Sequence, residues 1–426
     1  MRRRARRASR HGRRKCSPLG CKQERVETRT FETFPDALRQ LAAWLKKCAV
    51  QVVAIESTGV YFFPVYRELR RFELVVWVVN AAHAKNVPGR KTDVSDSAWL
   101  SKLVMHGLVR PSFIPDEQLE SLRMLTRSRV QMVGKANRLK ARVIRLLELF
   151  GIKLAGIFSD VLGKSGRSVL EALLEGNKSP QEMAALVSPK MAKKRPLLER
   201  ALTVVLNVDA KWLLKDLLDA LDHVQKRIVA VEQRTANALS LSSDDVALLK
   251  QIPGLSDVAI AGVLAETGTD MSTFPSAKHL TSWAGLAPGK NESAGKSRRA
   301  GTLAGNAWLR TLLVQCAWAT SRAKKSPWRG TFARLTRTTG SAKKAAFAIA
   351  RKLLVTIFHV LTSRQYRPAM PAPPSDAQKS RRAKAAVATL AALGFEVLLK
   401  PLPLMQSPDS EDSSTKAYSA GLPTTT

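Results

Sequence analysis

Apolar positions change their spacing several times along this chain. After "RVETRTF", a β-branched stretch, "PDALRQLAAWLKKC" has helical spacing, and "VQVVAIES" is then a continuous apolar run of strand length. A second helical stretch around "FFPVYRELRRF" leads to another apolar run, "ELVVWVVN". Strand, helix and strand in this order, with strands apolar on both faces, predict an α/β unit with central parallel strands. The next helix is expected to start near Asp93, after the "PGRK" turn, and to run through "SDSAWLSKLVMHG", where Gly107 ends it.

From Glu117 to Phe150, Leu, Met and Val recur at helical spacing with basic residues between them, which predicts one long helix, cationic on one side. A second helical block, roughly 196–239, is expected to pair with it as a coiled-coil-like hairpin. An ordinary helical insertion without a nucleic-acid face would have the same pattern. "LLKQIPGLSDVAIAGVLAETG" then reads as helix, Pro253-Gly254 turn and helix. That is the pattern of a helix-hairpin-helix, whose turn amides can approach phosphates, and equally of a plain αα-hairpin. Ser256 stands where a second glycine is often found. Helices are also expected in "NAWLRTLLVQCAWATSRA" and "SAKKAAFAIARKLLVTIFHVLT". After Ser363 the composition turns to Pro, Ala, Ser and Lys around one apolar patch, "LAALGFEVLLKPL", and the last twenty or so residues are expected to be disordered. There is no internal repeat and no Gly-rich phosphate loop.

Charge alters the picture more than length does. The 426 residues suffice for two or three domains, and 45% hydrophobic residues can fill ordinary cores. Seventy Lys and Arg against 34 Asp and Glu give a net charge of +36, which points to a polyanionic partner, nucleic acid before a membrane surface. The apolar run "LVVWVVNAA" is about half the roughly 20 residues of a spanning helix, so no membrane segment is expected. The opening "MRRRARRASRHGRRKCSPLGCK" has no apolar stretch behind its arginines and so is not read as a secretory signal. The expected location is the cytoplasm, at the nucleoid of a bacterium. Cys16, Cys21, Cys48 and Cys316 are scattered as in a reducing compartment, and neither they nor the six histidines form a metal-ligand pattern.

In so basic a chain, the acids near residue 93 stand out. Glu56 closes the apolar run "VVAI", and a carboxylate at the end of a buried strand is uncommon without a partner. Asp93 and Asp96, three apart on a helix, share one face. If that helix packs at the strand's C-terminal end, the three converge where α/β sheets usually carry their sites. Three carboxylates suit Mg²⁺, which takes oxygen ligands and keeps waters for substrate phosphates. The simpler reading makes Asp93 and Asp96 partners of a helix N-terminal dipole, worth about 0.3 to 1 kcal/mol.

"AIESTGVY", "NVPGRKTDVSDSAWLSKLVMHGLV" and "LAPGKNESAGKSRRAGTLAGNAWLR" resemble, in order, the DEDD transposases of insertion-sequence family 110, with similarity from about 25 to 402. The resemblance implies a RuvC-like, RNase H-type N-terminal domain with four metal-binding acids, a helical coiled-coil middle, and a mainly α C-terminal transposase domain with a nucleophilic serine. It implies a DNA transposase or recombinase that cleaves and exchanges strands, guided by an element-encoded RNA. By motif, Glu56, Asp93 and Asp96 match the second, third and fourth acids, as ligands of Mg²⁺. Ser293 matches the serine. Lys296, Arg298 and Arg299 are then expected to neutralise the phosphate it attacks, and Arg90, Lys91 and Arg310 to contact nucleic acid. Without the family, Ser293 is a serine in a Gly-containing loop, with Ser297 a nearby competitor. Exchange between two duplexes needs several cleavages, so a homodimer or homotetramer is expected.

One acid of the family set is missing. The first acid belongs on an opening strand, before the segment that here reads "RVETRTF", and no Asp precedes Asp36. Residues 1–23 read instead as a basic, strand-free, disordered arm, as a shifted frame, a wrong start or a decayed element would leave. The expected organisation is that arm, an incomplete RuvC-like domain over 24–115, the helical region over 116–243, the transposase domain over 244–363 and a low-complexity tail over 364–426. Losing one ligand implies impaired catalysis. A RuvC-like structure-specific nuclease using water, and a noncatalytic DNA- or RNA-binding remnant, are the alternatives.

Overall fold

The computed structural model describes residues 7–11, 26–57, 59–80, 93–289, 291–293, 296–298, 305–324, 326–367 and 376–398. The chain is mostly helical. β1 (Arg7–His11) pairs antiparallel with β2 (Val26–Thr30), from Arg7 opposite Thr30 to His11 opposite Val26. A strand at 7–11 departs from the strand-free arm expected over 1–23. A ladder joins backbone N–H and C=O groups and does not need the apolar alternation that this segment lacks. The remainder of 1–23 lies outside the described residues.

α1 (Pro35–Lys47) begins with proline at its first position and Asp36 in its first turn, and ends with Lys46 and Lys47, as the helix dipole favours. β3 (Val52–Glu56), α2 (Phe62–Arg71) and β4 (Val75–Val79) follow. β3 and β4 pair in parallel, Val52 opposite Val75 and Glu56 opposite Val79, which is the parallel α/β pairing expected from the two apolar runs. The alternation of side chains divides them between two cores. Val53, Ile55, Val76 and Val78 join Leu38, Leu41, Leu45, Val65 and Leu69 of α1 and α2. Ala54, Trp77 and Val79 join Trp99, Leu100, Leu103 and Val104 of α3 (Asp93–Met105). The pair therefore has helices on both faces, as a buried parallel sheet requires. β1–β2 and β3–β4 remain two separate two-stranded sheets.

α4 (Glu117–Leu149) starts at Asp116, whose side chain accepts from Leu119 N at 2.7 Å. α5 (Lys164–Glu175), α6 (Pro180–Ala185) and α7 (Arg195–Ala201) lead to α8 (Val208–Leu239). α4 and α8 pack along each other, with Arg129, early in α4, bonded to Glu232, late in α8, at 2.6 Å, so the two run antiparallel. At the far end Val143 and Leu147 share a core with Leu170, Leu198, Leu214 and Leu218, so short helices close the hairpin into a globular head. The helical block read over 196–239 is broken at 202–207. There Asn207 caps α8 by accepting from Ala210 N at 2.8 Å.

The C-terminal part comprises α9 (Ser243–Lys250), α10 (Asp257–Thr267), α11 (Ala277–Trp283), the strands β5 (Asn291–Ser293) and β6 (Lys296–Arg298), α12 (Ala307–Arg322), α13 (Trp328–Thr339) and α14 (Ala342–Ser363). α14 is the axis of this core. It is the one described helix long and apolar enough to cross a membrane, yet Ile349, Leu353, Leu354 and Ile357 are completely enclosed by neighbouring helices. α9 and α10 form the expected hairpin, whose turn is docked internally. Thr320 Oγ1 donates to Pro253 O at 2.9 Å, and a Cβ on Gly254, at φ +93°, would lie 2.6 Å from the Thr320 Cβ. That contact gives Gly254 a packing role that needs no phosphate. Gly254→Ala is expected to cost about 1 to 3 kcal/mol through overpacking, read as a lower urea midpoint. A second compact unit, Ala369–Thr426, contains α15 (Asp376–Ala392) within the expected low-complexity tail, whose last residues, 399–426, are outside the described ones.

Candidate active site

Glu56 ends β3 opposite Val79, so it shares a sheet face with Ala54, Trp77 and Val79. That is the face α3 covers. Asp93 and Asp96 lie in the first turn of α3, and α3 also packs on β1. The backbone thus places Glu56 at the end of a strand on the face that α3 covers, with Asp93 and Asp96 in the first turn of that helix. Glu56 is half-buried. The side chains of Asp93 and Asp96 are outside the described set, as are Arg90, Lys91 and Arg299 altogether. Among the described residues no group of three or more His, Cys, Asp or Glu is placed to hold a metal ion.

Ser293 lies at the end of a short hairpin. β5 and β6 are antiparallel, and Ser293 is the register partner of Lys296, with Ala294 and Gly295 between them. Lys296 and Arg298, two of the cations expected beside the serine, belong to the opposing strand. The C-terminal end of α11 clamps both ends of the hairpin. Before it, Leu286 N and Ala287 N donate to Thr281 O at 2.9 and 3.2 Å. After it, Asn306 N donates to Trp283 O at 3.0 Å, and a Cβ on Gly305 would lie 2.3 Å from Gly285 N, so this crossing admits only glycine. Arg310 is half-buried on α12, one turn beyond Asn306.

A buried carboxylate that sequence reading passed over ties this hairpin to the long helix. Glu266, 3% exposed at its side chain, is the last residue but one of the mainly apolar "DVAIAGVLAET". Arg127 of α4 donates Nε to Oε1 and Nη2 to Oε2, both at 2.8 Å, and Asn306 Nδ2 donates to Oε2 at 2.7 Å. Asn306 also caps α12, accepting from Trp308 N and Leu309 N. Arg123 donates Nε to Ala265 O at 2.7 Å. Burial lowers its pKa to about 10, Glu266 opposes that fall, and the guanidinium stays charged at neutral pH. An acid inside an otherwise apolar helix was the signal available for Glu266.

Between α3 and α4 the chain joins the two halves of the arrangement. Ser112 N donates to Val78 O at 2.7 Å, beside β4, and Ile114 packs into the α1–α2 core. Phe113 turns the other way, with ring centroids 5.7 Å from Phe274 and 6.1 Å from Trp283, the residue that clamps the serine hairpin.

Comparison with known proteins puts the chain among transposases. A transposase model of the DEDD class of insertion-sequence family 110 matches residues 15–152, and a model described as "Transposase IS116/IS110/IS902 family" matches 246–334. The chain belongs to the IS110 family of transposases. It is 25% identical over 284 residues to a protein of Sinorhizobium fredii bearing the transposase name y4qE, covering 63% of this chain and 61% of that one. It is also 33% identical over 123 residues to the pilin gene-inverting proteins of Moraxella bovis and Moraxella lacunata, 28% of this chain and 37% of theirs. The chain thus spans less than two thirds of the length of these relatives.

Proposed function

We propose that this chain acts on DNA as a transposase or recombinase, with Glu56, Asp93 and Asp96 holding Mg²⁺ and Ser293 as nucleophile. The observation that carries the reading is the common sheet face of Glu56 and α3, in a chain whose two family matches include the acids and the serine. A set of carboxylate oxygens without sulfur or nitrogen suits a hard cation. When bound, such a cation would neutralise phosphate charge during transfer. Ser293 Oγ forms a bond to a backbone phosphorus as the bond from phosphorus to a sugar oxygen breaks. The serine proton leaves with a base, and the released sugar oxygen takes up a proton to become a hydroxyl. Lys296, directly across the hairpin, and Arg298 stabilise the charge that builds on the phosphate.

The finer reading includes a guide RNA, a homodimer or homotetramer, and a division into RuvC-like, helical and transposase domains at 24–115, 116–243 and 244–363. It also includes impairment. β1 and its flanks up to Cys21 contain no carboxylate, so three acids stand where the family resemblance implies four. A noncatalytic nucleic-acid binder is the second reading, favoured by the same observation.

Mn²⁺ binding followed by electron paramagnetic resonance tests the metal site without requiring turnover. The parent is expected to hold the ion, and Asp93→Asn combined with Asp96→Asn to lose at least about tenfold in affinity. Equal binding by both would remove these aspartates from the site.

A further inference from the structure

We propose that the outer face of α13, with the first turn of α14, is a docking surface for duplex DNA. It deepens the reading that the chain acts on DNA and does not depend on the chemistry of Ser293. Between Glu292 and Asp376 the sequence has sixteen Lys and Arg and no carboxylate. α13 turns Trp328, Phe332 and Leu335 into the core, with Phe332 5.4 Å from Trp318, and exposes Arg329, Gly330, Ala333, Arg334 and Arg337 on its other side. Lys343 and Lys344 follow across the Gly340 turn, both exposed.

A run of cations is often just a solvated face. Three features separate this one from that. First, some arginines elsewhere have carboxylate partners, as Arg127 with Glu266, Arg129 with Glu232 and Arg167 with Asp222, whereas among the described residues Arg329, Arg334, Arg337, Lys343 and Lys344 form no ion pair and lie in a stretch whose sequence offers no carboxylate. Second, Lys343 and Lys344 occupy the first turn of α14, the end where a helix dipole disfavours cations, and no acid in that turn offsets them. Third, a Cβ at Gly330 would meet open space, so packing does not require glycine there, although glycine weakens a helix interior. A surface with small residues between arginines can lie close to a phosphate backbone.

The form of the nucleic acid follows from what the face lacks and from its shape. Single strands are gripped by stacking bases on aromatic rings, and the aromatic residues of α13 point inward. A helix of 12 residues is about 18 Å long, and the major groove of B-form DNA, about 12 Å wide, admits a helix. The deep, narrow major groove of duplex RNA does not.

The test is fluorescence anisotropy of the full chain with labelled duplex DNA, single-stranded DNA and duplex RNA across a salt series. It compares the parent with Arg334→Gln/Arg337→Gln and with Gly330→Glu. The double variant is expected to lower the slope of log affinity against log salt by about two on duplex DNA, near 0.9 for each phosphate contact. Gly330→Glu, which gains helix propensity and meets no neighbour, is expected to keep the thermal midpoint and to weaken duplex binding by about tenfold. An unchanged slope in the double variant, or the same loss on single strands or duplex RNA, overturns the surface. Failure of the parent to bind duplex DNA overturns both this surface and the reading of a DNA-acting chain. Tight parent binding with unaffected variants overturns the surface alone.

Discussion

Replacing Glu266 with alanine is expected to cost about 3 to 5 kcal/mol, the range for removing one partner of a buried ion pair. The loss comes less from the missing bonds than from what is left behind. Arg123, 12% exposed, would keep its backbone acceptors but lose the only carboxylate within 4 Å of it among the described residues. Arg127, 37% exposed, can turn partly to water, which favours the lower end of the range. Asn306 would lose the acceptor that holds its amide and, with it, part of the anchor of the serine hairpin. Glu266→Gln keeps the shape and one acceptor oxygen and is expected to cost about 1 to 3 kcal/mol. A Glu266→Leu/Arg127→Met pair is expected to recover most of the alanine loss, since apolar replacement of both partners is often close to neutral. Urea unfolding read by tryptophan fluorescence measures all three. A change under about 1 kcal/mol for Glu266→Ala would show that the network is not what joins α4 to the C-terminal core.

Much of the α/β unit was legible because its signals are local. "VQVVAIES" and "ELVVWVVN" are strands for the same reason that they are parallel and covered, since only a strand buried on both faces has no polar alternation. Asp93 could be placed at a helix start from the turn before it. β1 could not be read, because antiparallel backbone pairing leaves no mark on a sequence such as "RASRH". The split of the 196–239 block could have been read, since Asn207 followed by Val208-Asp209 is an ordinary helix start. The Glu266 network was out of reach for another reason. Its members come from two helices and the cap of a third, separated by up to 179 positions, and only the folded chain brings Arg127, Glu266 and Asn306 together. Ser293 had no signal of its own among the serines of its loop, and the family resemblance singled it out. In the backbone register of the hairpin, the position opposite it is Lys296.

Ser293→Ala is expected to abolish covalent capture of DNA completely. Serine supplies the only atom that can form the bond to phosphorus in this account, and alanine has no oxygen. The substitution removes one atom from a strand held by backbone pairing and clamped at Thr281 and Trp283, so folding and DNA affinity are expected to persist. Ser297, opposite Glu292 in the same hairpin, is the internal control, and Ser297→Ala is expected to retain the adduct. The direct measurement is a denaturing gel of the full chain incubated with element-end DNA, cognate RNA and Mg²⁺, run beside Ser293→Ala and beside a version with an aspartate-bearing strand in place of β1. The expected result is a protein–DNA adduct that is weak in the parent, stronger when the fourth acid is supplied, and absent from every chain lacking Ser293. Strand cleavage or an adduct that survives Ser293→Ala would contradict it and assign the chemistry to water or to another nucleophile.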